Sequence, residues 1–243
     1  MITVGFKTDK GLTRNDNEDS LFVIPDKKIF IVCDGVGGHN SGELASRMTV
    51  GYMAQYVCLN PIEKATTEGE LKSYFKNLFS GANSLVYEKS TSETVNQGMA
   101  TTAVLCYIRE NTAYFVNVGD SRAYLIRDGR YYQITEDHSF VQTMVREGHL
   151  SKEEAALRTD KNMITRAIGG DIEVHPDFFT LDLFPKDTII LCTDGLHGEV
   201  SDDAMAAMAT AADSMHDLAK GLVDRANEAG GKDNISVVCI RIQ

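Results

Sequence analysis

Apolar positions along the chain follow two periods, and the changes between them mark the elements. Residues 2–8, 21–24 and 28–33 predict strands. The third holds Ile29-Phe30-Ile31-Val32-Cys33, apolar at every position, as in a strand buried on both faces. A helical period then runs over 41–59, with Leu44, Met48, Tyr52, Gln55 and Tyr56 near one face and only Gln55 polar among them. A second helix over 69–88 carries Leu71, Tyr74, Phe75, Leu78, Ala82, Leu85 and Val86 at helical spacing. Strands resume at 102–109, 113–118, 122–127 and 131–134. Turns such as Arg109-Glu110-Asn111 and Asp128-Gly129 leave no room for crossover helices, so a meander of antiparallel pairs is expected.

Residues 137–172 break the pattern. They hold short helical segments, one opened by Ser151-Lys152-Glu153-Glu154, whose Ser and Glu three apart form a capping box. The stretch reads as an inserted helical flap, about 138–172. Strands at 174–180 and 188–193 follow, then helices near 201–212 and 214–229. Met215, Leu218, Ala219, Leu222, Val223 and Ala226 stripe the last helix. A strand from Ile235 to Ile242 ends the chain. Strict strand–helix alternation is absent, which argues against a doubly wound parallel sheet and for an antiparallel β core with helices packed outside. No repeat, low-complexity tract or proline-rich linker divides the 243 residues, which contain four prolines; one domain over 1–243 is expected.

Composition narrows the function classes. Thirty-five acidic against 24 basic residues give a net charge of −11, which opposes a nucleic-acid surface built of clustered Lys and Arg. No apolar run approaches the roughly 18 residues of a membrane span. The first residues lack the basic start and apolar stretch of a secretory signal, so a cytoplasmic protein is expected. Five cysteines are present without CxxC spacing. Cys33, Cys106, Cys192 and Cys239 lie in strand-like runs, so they read as buried hydrophobes rather than disulfides or zinc ligands.

The chemistry sits where apolar strands end in acid. Ile29–Cys33 leads into Asp34-Gly35, Ala113–Val118 into Gly119-Asp120, and Ile189–Cys192 into Thr193-Asp194-Gly195. Glu18-Asp19 and Asp233-Asn234 precede strands. One Asp-Gly after a strand is usually a turn. Several gathered at one edge of a core would repel one another and raise each other's pKa, a situation multivalent cations relieve. Oxygen-only ligands favour Mg²⁺, Mn²⁺ or Ca²⁺ over zinc or copper, and the missing EF-hand pattern weighs against calcium. The glycines of Asp34-Gly35-Val36-Gly37-Gly38-His39-Asn40-Ser41-Gly42-Glu43 let backbone approach an ion or anion closely. Arg14, four residues before Glu18, has the fork geometry that docks a phosphate.

Arg14-Asn15-Asp16-Asn17-Glu18-Asp19-Ser20, Asp34-Gly35-Val36-Gly37-Gly38-His39, Gly119-Asp120-Ser121-Arg122, Thr193-Asp194-Gly195 and Gly231-Lys232-Asp233-Asn234 together resemble, in order and spacing, the signature motifs of PP2C-type phosphatases of the PPM family. More narrowly the chain is similar to their compact bacterial members, and Asp137-His138-Ser139 through Thr165-Arg166-Ala167-Ile168-Gly169 is similar to their flap region. The resemblance implies an α+β fold, a β-sandwich of two antiparallel sheets flanked by helices (αββα). It implies Asp34 bridging two Mn²⁺ or Mg²⁺ ions, with Asp194 and Asp233 completing the first. The Gly35 carbonyl and Glu18 would serve the second, partly through water, with Asp19 supporting. Asp120 with Asp194 would hold a third ion, and Arg14 would bind the substrate phosphate. Val36 replaces the histidine that protonates the leaving group in many eukaryotic members; His39 and a metal-bound water are the alternatives. Ala100 in Gly98-Met99-Ala100-Thr101-Thr102 stands where glycine is usual, a packing change.

The implied activity is hydrolysis of protein phosphoserine and phosphothreonine by a metal-bridging hydroxide, in a monomeric phosphatase opposing a Ser/Thr kinase. No Cys-x₅-Arg motif supports a cysteine nucleophile. The alternatives are a metal-free pseudophosphatase that binds without catalysis, which the intact aspartates oppose, and a phosphatase dedicated to one regulatory phosphoprotein.

Overall fold

A computed structural model describes residues 1–38, 41–156, 158, 160 and 163–243. His39, a candidate proton donor, lies outside the described residues. The strands are β1 (Ile2–Asp9), β2 (Asp19–Ile24), β3 (Ile29–Val36), β4 (Ala100–Thr101), β5 (Ala103–Arg109), β6 (Thr112–Val118), β7 (Arg122–Arg127), β8 (Arg130–Gln133), β9 (Asp177–Asp182), β10 (Thr188–Cys192) and β11 (Ile235–Ile242). The helices are α1 (Ser41–Leu59), α2 (Glu68–Ser92), α3 (Phe140–Arg146), α4 (Lys152–Ala156), α5 (Asp194–His197), α6 (Asp202–Ala211) and α7 (Met215–Glu228).

One sheet runs β1-β11-β10-β7-β8, the other β2-β3-β5-β6-β9 with β4 paired to β3, and every pairing is antiparallel. Side chains alternate across a strand, so each central strand feeds two apolar layers. From β3, Phe30 and Val32 enter the layer between the sheets with Phe115, Leu191, Val238 and Ile240. Ile29, Ile31 and Cys33 pack on α1 and α2 with Met53, Phe75 and Phe79. On the opposite face Ile190, Cys192, Val237 and Cys239 meet Met205, Leu218 and Leu222 of α6 and α7. The result is the expected αββα sandwich. Cys33, Cys106, Cys192 and Cys239 are buried free thiols and Cys58 is exposed. No helix among the described residues is long and apolar enough to cross a membrane.

Four expectations are corrected. The stretch from 102 to 134 is two hairpins in different sheets rather than one meander: β5–β6 belong to one and β7–β8 to the other. The chain changes sheets at Gly119-Asp120-Ser121. In α1 the buried stripe is Ala45, Thr49, Met53 and Val57, one position along from Leu44, Met48, Tyr52 and Tyr56, which are partly buried at its margin. Small residues face inward because α1 lies close on β3; a Cβ on Gly35 would come within 2.1 Å of the Gly42 carbonyl. In α2 the core also takes Phe79 and Asn83, while Leu85 is exposed. The strand expected at 174–180 begins at Asp177, because Pro176 has no N–H for a ladder.

The 138–172 segment stands on two feet. Ser139 bridges Ile164, and Thr165 N–H donates to the His138 carbonyl over 2.7 Å. Ile168 bridges Thr101, and buried Asn83 accepts from Gly169 N–H and donates to the Asp171 carbonyl at 2.8 and 3.0 Å. Both bonds of the Ser151–Glu154 capping box form, at 2.8 and 3.1 Å.

Phe30 is fully buried between the sheets, so Phe30→Ala is expected to cost about 3–5 kcal/mol of unfolding free energy in urea titrations. Leu59→Ala, at a position 70% exposed, is expected to fall within about 0.5 kcal/mol of the parent.

Candidate active site

At one end of the inter-sheet layer, strand after strand exchanges an apolar inward residue for a polar one two positions away. On β2 and β3 these are Leu21 to Asp19 and Val32 to Asp34; beside β5 and on β6, Val104 to Thr102 and Phe115 to Asn117. Next to β7 and β10 they are Ala123 to Ser121 and Leu191 to Thr193, and on β11 Val238 to Ser236. Strand periodicity keeps each pair on one face, so the polar members cap the layer. Asp19 and Asp34 are direct cross-strand partners, a placement that brings like charges together.

The backbone around Asp34 is pinned. Its N–H donates to Thr102 Oγ at 2.9 Å. Its carbonyl accepts from Thr101 Oγ at 2.7 Å and from Thr102 N–H at 2.8 Å. Thr102 and Ser121 hydroxyls share a 2.7 Å bond, tying this strand to the turn that changes sheets. Ala100, in place of the usual glycine, pairs with exposed Val36 and leaves these bonds in place. Thr193 Oγ donates to Asp19 Oδ2 at 2.9 Å and accepts from Ser236 N–H at 3.0 Å.

The loop bearing Arg14 and Glu18 is fastened by Asn234. Its amide accepts from Glu18 N–H at 2.8 Å and donates to the Lys10 and Asp16 carbonyls at 2.9 Å each. Arg14 Nη2 meets Asp233 Oδ2 at 2.7 Å, with half of its side chain exposed. Gly35 donates its N–H to the Glu18 carbonyl at 3.2 Å. The glycine-rich turn is thus used, at Gly35, for close approach to α1.

Electrostatics bind these groups into one cluster. Burial first, then the charges of Asp19, Asp194, Asp120 and Asp233, push the Asp34 carboxyl well above its usual range. Burial likewise raises Asp19 and Asp194. Burial and Asp194 push Asp120 up to about 7. Glu18 is raised by burial, against the pull of Arg14. Asp19 Oδ1 and Asp194 Oδ1 are buried without a hydrogen-bond partner.

Arg14, Glu18, Asp19, Asp34, Asp120, Asp194 and Asp233 are therefore brought together, with Gly35 adjacent. Among the described residues no three His, Cys, Asp or Glu side chains close into a metal-ligand set by themselves. An open cleft lined by Met208, Ala212, Asp213 and Asp217, between α6 and α7, holds none of these groups. The sequence motifs include Thr101, Thr102, Ser121, Thr193 and Asn234 without giving them a role, and do not include Ser236; the apolar-to-polar exchange along the strands is the signal that marks most of them.

The protein phosphatase 2C family model matches residues 8–234. A serine/threonine phosphatase stp of Listeria welshimeri is 34% identical over 238 residues, covering 97% of this chain and 94% of its own. The Streptococcus agalactiae serine/threonine phosphatase superposes with a TM-score of 0.93 at 31% identity, with all of both chains covered. The catalytic domain of the serine/threonine phosphatase PstP, solved with two manganese ions, gives 0.86 at 32% identity over all of this chain and 99% of that one. With that match along nearly its whole length, and the carboxylate cluster at the family's motifs, this chain belongs to the protein phosphatase 2C family.

Proposed function

We propose that this chain hydrolyses phosphoserine and phosphothreonine on proteins, a Ser/Thr kinase among them, as one monomeric cytoplasmic unit over 1–243 with a flap at about 138–172. The observation that carries the reading is the set of aspartates in which Asp19 and Asp120 are buried and Asp34 and Asp194 half-buried, all raised in pKa by desolvation first and neighbouring carboxylates second, with half-exposed Arg14 at their edge.

The donor set fits hard divalent ions. It is made of oxygens, two of them buried without a partner, and its repulsion is of the kind a cation removes. An incomplete protein cage suits ions that keep waters as ligands. Asp34 would bridge two Mn²⁺ or Mg²⁺ ions, Asp194 and Asp233 would complete one, and Gly35 with Glu18, supported by Asp19, the other. Asp120 with Asp194 would hold a third. Such ions, when bound, supply a water acid enough to attack phosphorus at neutral pH and offset the charge of the phosphoryl group.

The chain's own residues do the positioning. The threonine clamp on the Asp34 peptide fixes the central carboxylate, as a group must be fixed before its charge can be used in a transition state. Arg14 engages Asp233 through one nitrogen, and a guanidinium has further donors for equatorial phosphate oxygens. Val36 supplies no proton to the leaving oxygen, so no described side chain at that position serves as the acid.

Purified protein with Mn²⁺ is expected to hydrolyse p-nitrophenyl phosphate, and EDTA or Asp34→Asn to abolish it; full turnover by Asp34→Asn would sink the assignment. Arg14→Ala is expected to raise KM for a phosphopeptide more than it lowers kcat.

A stability test follows from the raised carboxyls. A folded carboxyl at about 7 against an ordinary 3.8 binds more protons folded than unfolded between those values, so stability falls as pH rises through that window. In chelator, Asp120→Asn is therefore expected to raise the thermal midpoint over wild type. The gap should open above about pH 4, level off near pH 7, and narrow when Mn²⁺ is added. A gap that shrinks with rising pH contradicts the raised Asp120 carboxyl.

A further inference from the structure

His138 is a buried histidine outside the carboxylate cluster, and the glycine-aspartate turn is built around it. Gly119 N–H donates to His138 Nδ1 at 3.0 Å, and His138 N–H donates back to the Gly119 carbonyl at 3.0 Å. Asn117 Nδ2 reaches that carbonyl at 3.1 Å. Gly119, the residue before Asp120, is thus held at both its N–H and its carbonyl. Gly119 has φ +103°, and a Cβ there would meet Thr102 Cγ2 at 2.5 Å, so the turn has little freedom to find another seat. The Asp120 carbonyl in turn accepts from His197 Nε2 at 3.1 Å.

The ring has one tautomer available. Because Nδ1 accepts, Nε2 carries the proton and donates to Asp177 Oδ2 at 3.1 Å. Arg166 Nη1 lies 3.0 Å from Nε2 but donates to Asp177 Oδ1 at 2.8 Å and to the His175 carbonyl at 2.7 Å. Burial and the Arg166 charge favour the neutral ring, against the pull of Asp177. Carboxylate, imidazole and backbone amide thus form a line running from the start of β9 and the foot of the flap to the turn that carries Asp120.

We propose that His138 is a positioning residue for Asp120: its bare Nδ1 seats the Gly119 N–H and so fixes the backbone that leads into Asp120, and Asp177 holds the ring for that task. The effect on ions rests on the reading of Asp120 as an ion ligand; the effect on the turn does not. A rival role as a strut for Asp177 uses the other ring nitrogen, and two variants separate the nitrogens. His138→Asn keeps an acceptor at the δ position and loses the reach to Asp177. His138→Gln keeps a donor at the ε position and loses the δ acceptor.

The experiment uses the full chain, with thermal midpoints to establish that each variant is folded. Amide exchange at Gly119, calorimetric Mn²⁺ titration and phosphopeptide kinetics are then measured. In His138→Gln, Gly119 is expected to lose exchange protection, and the weakest Mn²⁺ affinity and kcat to fall about 10–100-fold. His138→Asn should stay close to wild type in all three. A Gln variant that matches wild type, or an Asn variant as impaired as Gln, overturns the inference. Asp120→Ala separates the two layers. If it weakens Mn²⁺ binding while His138→Gln does not, the positioning role alone fails. If it leaves Mn²⁺ binding and turnover intact, the ion-ligand reading of Asp120 fails, and the effect on ions falls with it.

Discussion

Asp34 and Asp19 face each other across the β2–β3 ladder, and the rest of the site is arranged around that unfavourable pairing. A buried and a half-buried carboxylate at direct cross-strand positions oppose folding, yet strand register leaves them no other place. Shifting β2 by one residue would move Asp19 out of the layer and also turn Leu21 and Val23 to the wrong face. The apolar rows between the sheets therefore hold the acidic pair in position, and the site draws its rigidity from the core beneath it.

The polar cap carries that constraint outward. Thr102 and Ser121 tie the Asp34 strand to the turn between sheets. Thr193 and Ser236 do the same for Asp19 from the opposing sheet. Asn234 fastens the loop holding Arg14 and Glu18. Hydroxyls and amides suit this work because they satisfy backbone groups without adding charge to a cluster already oversupplied with it.

Much of this was legible beforehand. The all-apolar run Ile29–Cys33 and the acids at strand ends locate the layer and its acidic end, and the ordered motifs name the family. What escaped did so for physical reasons. In α1 the larger residues, Leu44, Met48, Tyr52 and Tyr56, outweigh Ala45 and Thr49 in any reading of periodicity. Close approach to β3 nevertheless puts the small ones inside. The hairpins at 103–133 look continuous because the change of sheet occupies three residues, Gly119 to Ser121, that also read as a turn. His138 stands in a flap-like motif that gives it no role; its partners come from 19 and 39 residues away, and only the fold brings them together.

The feet of the 138–172 segment have an evolutionary consequence. Chain enters and leaves the outer part side by side, at Ser139 and Ile164, and the second foot is held by Thr101 and Asn83. A change of length between 140 and 163 then alters mainly the entropy of closing a loop, about 0.6 kcal/mol for each doubling. The strain of such a change stops at the feet, before Gly119 and Asp34. Lineages can thus insert, delete and rewrite that region, and with it the surface offered to a phosphoprotein, while the chemistry below is inherited unchanged.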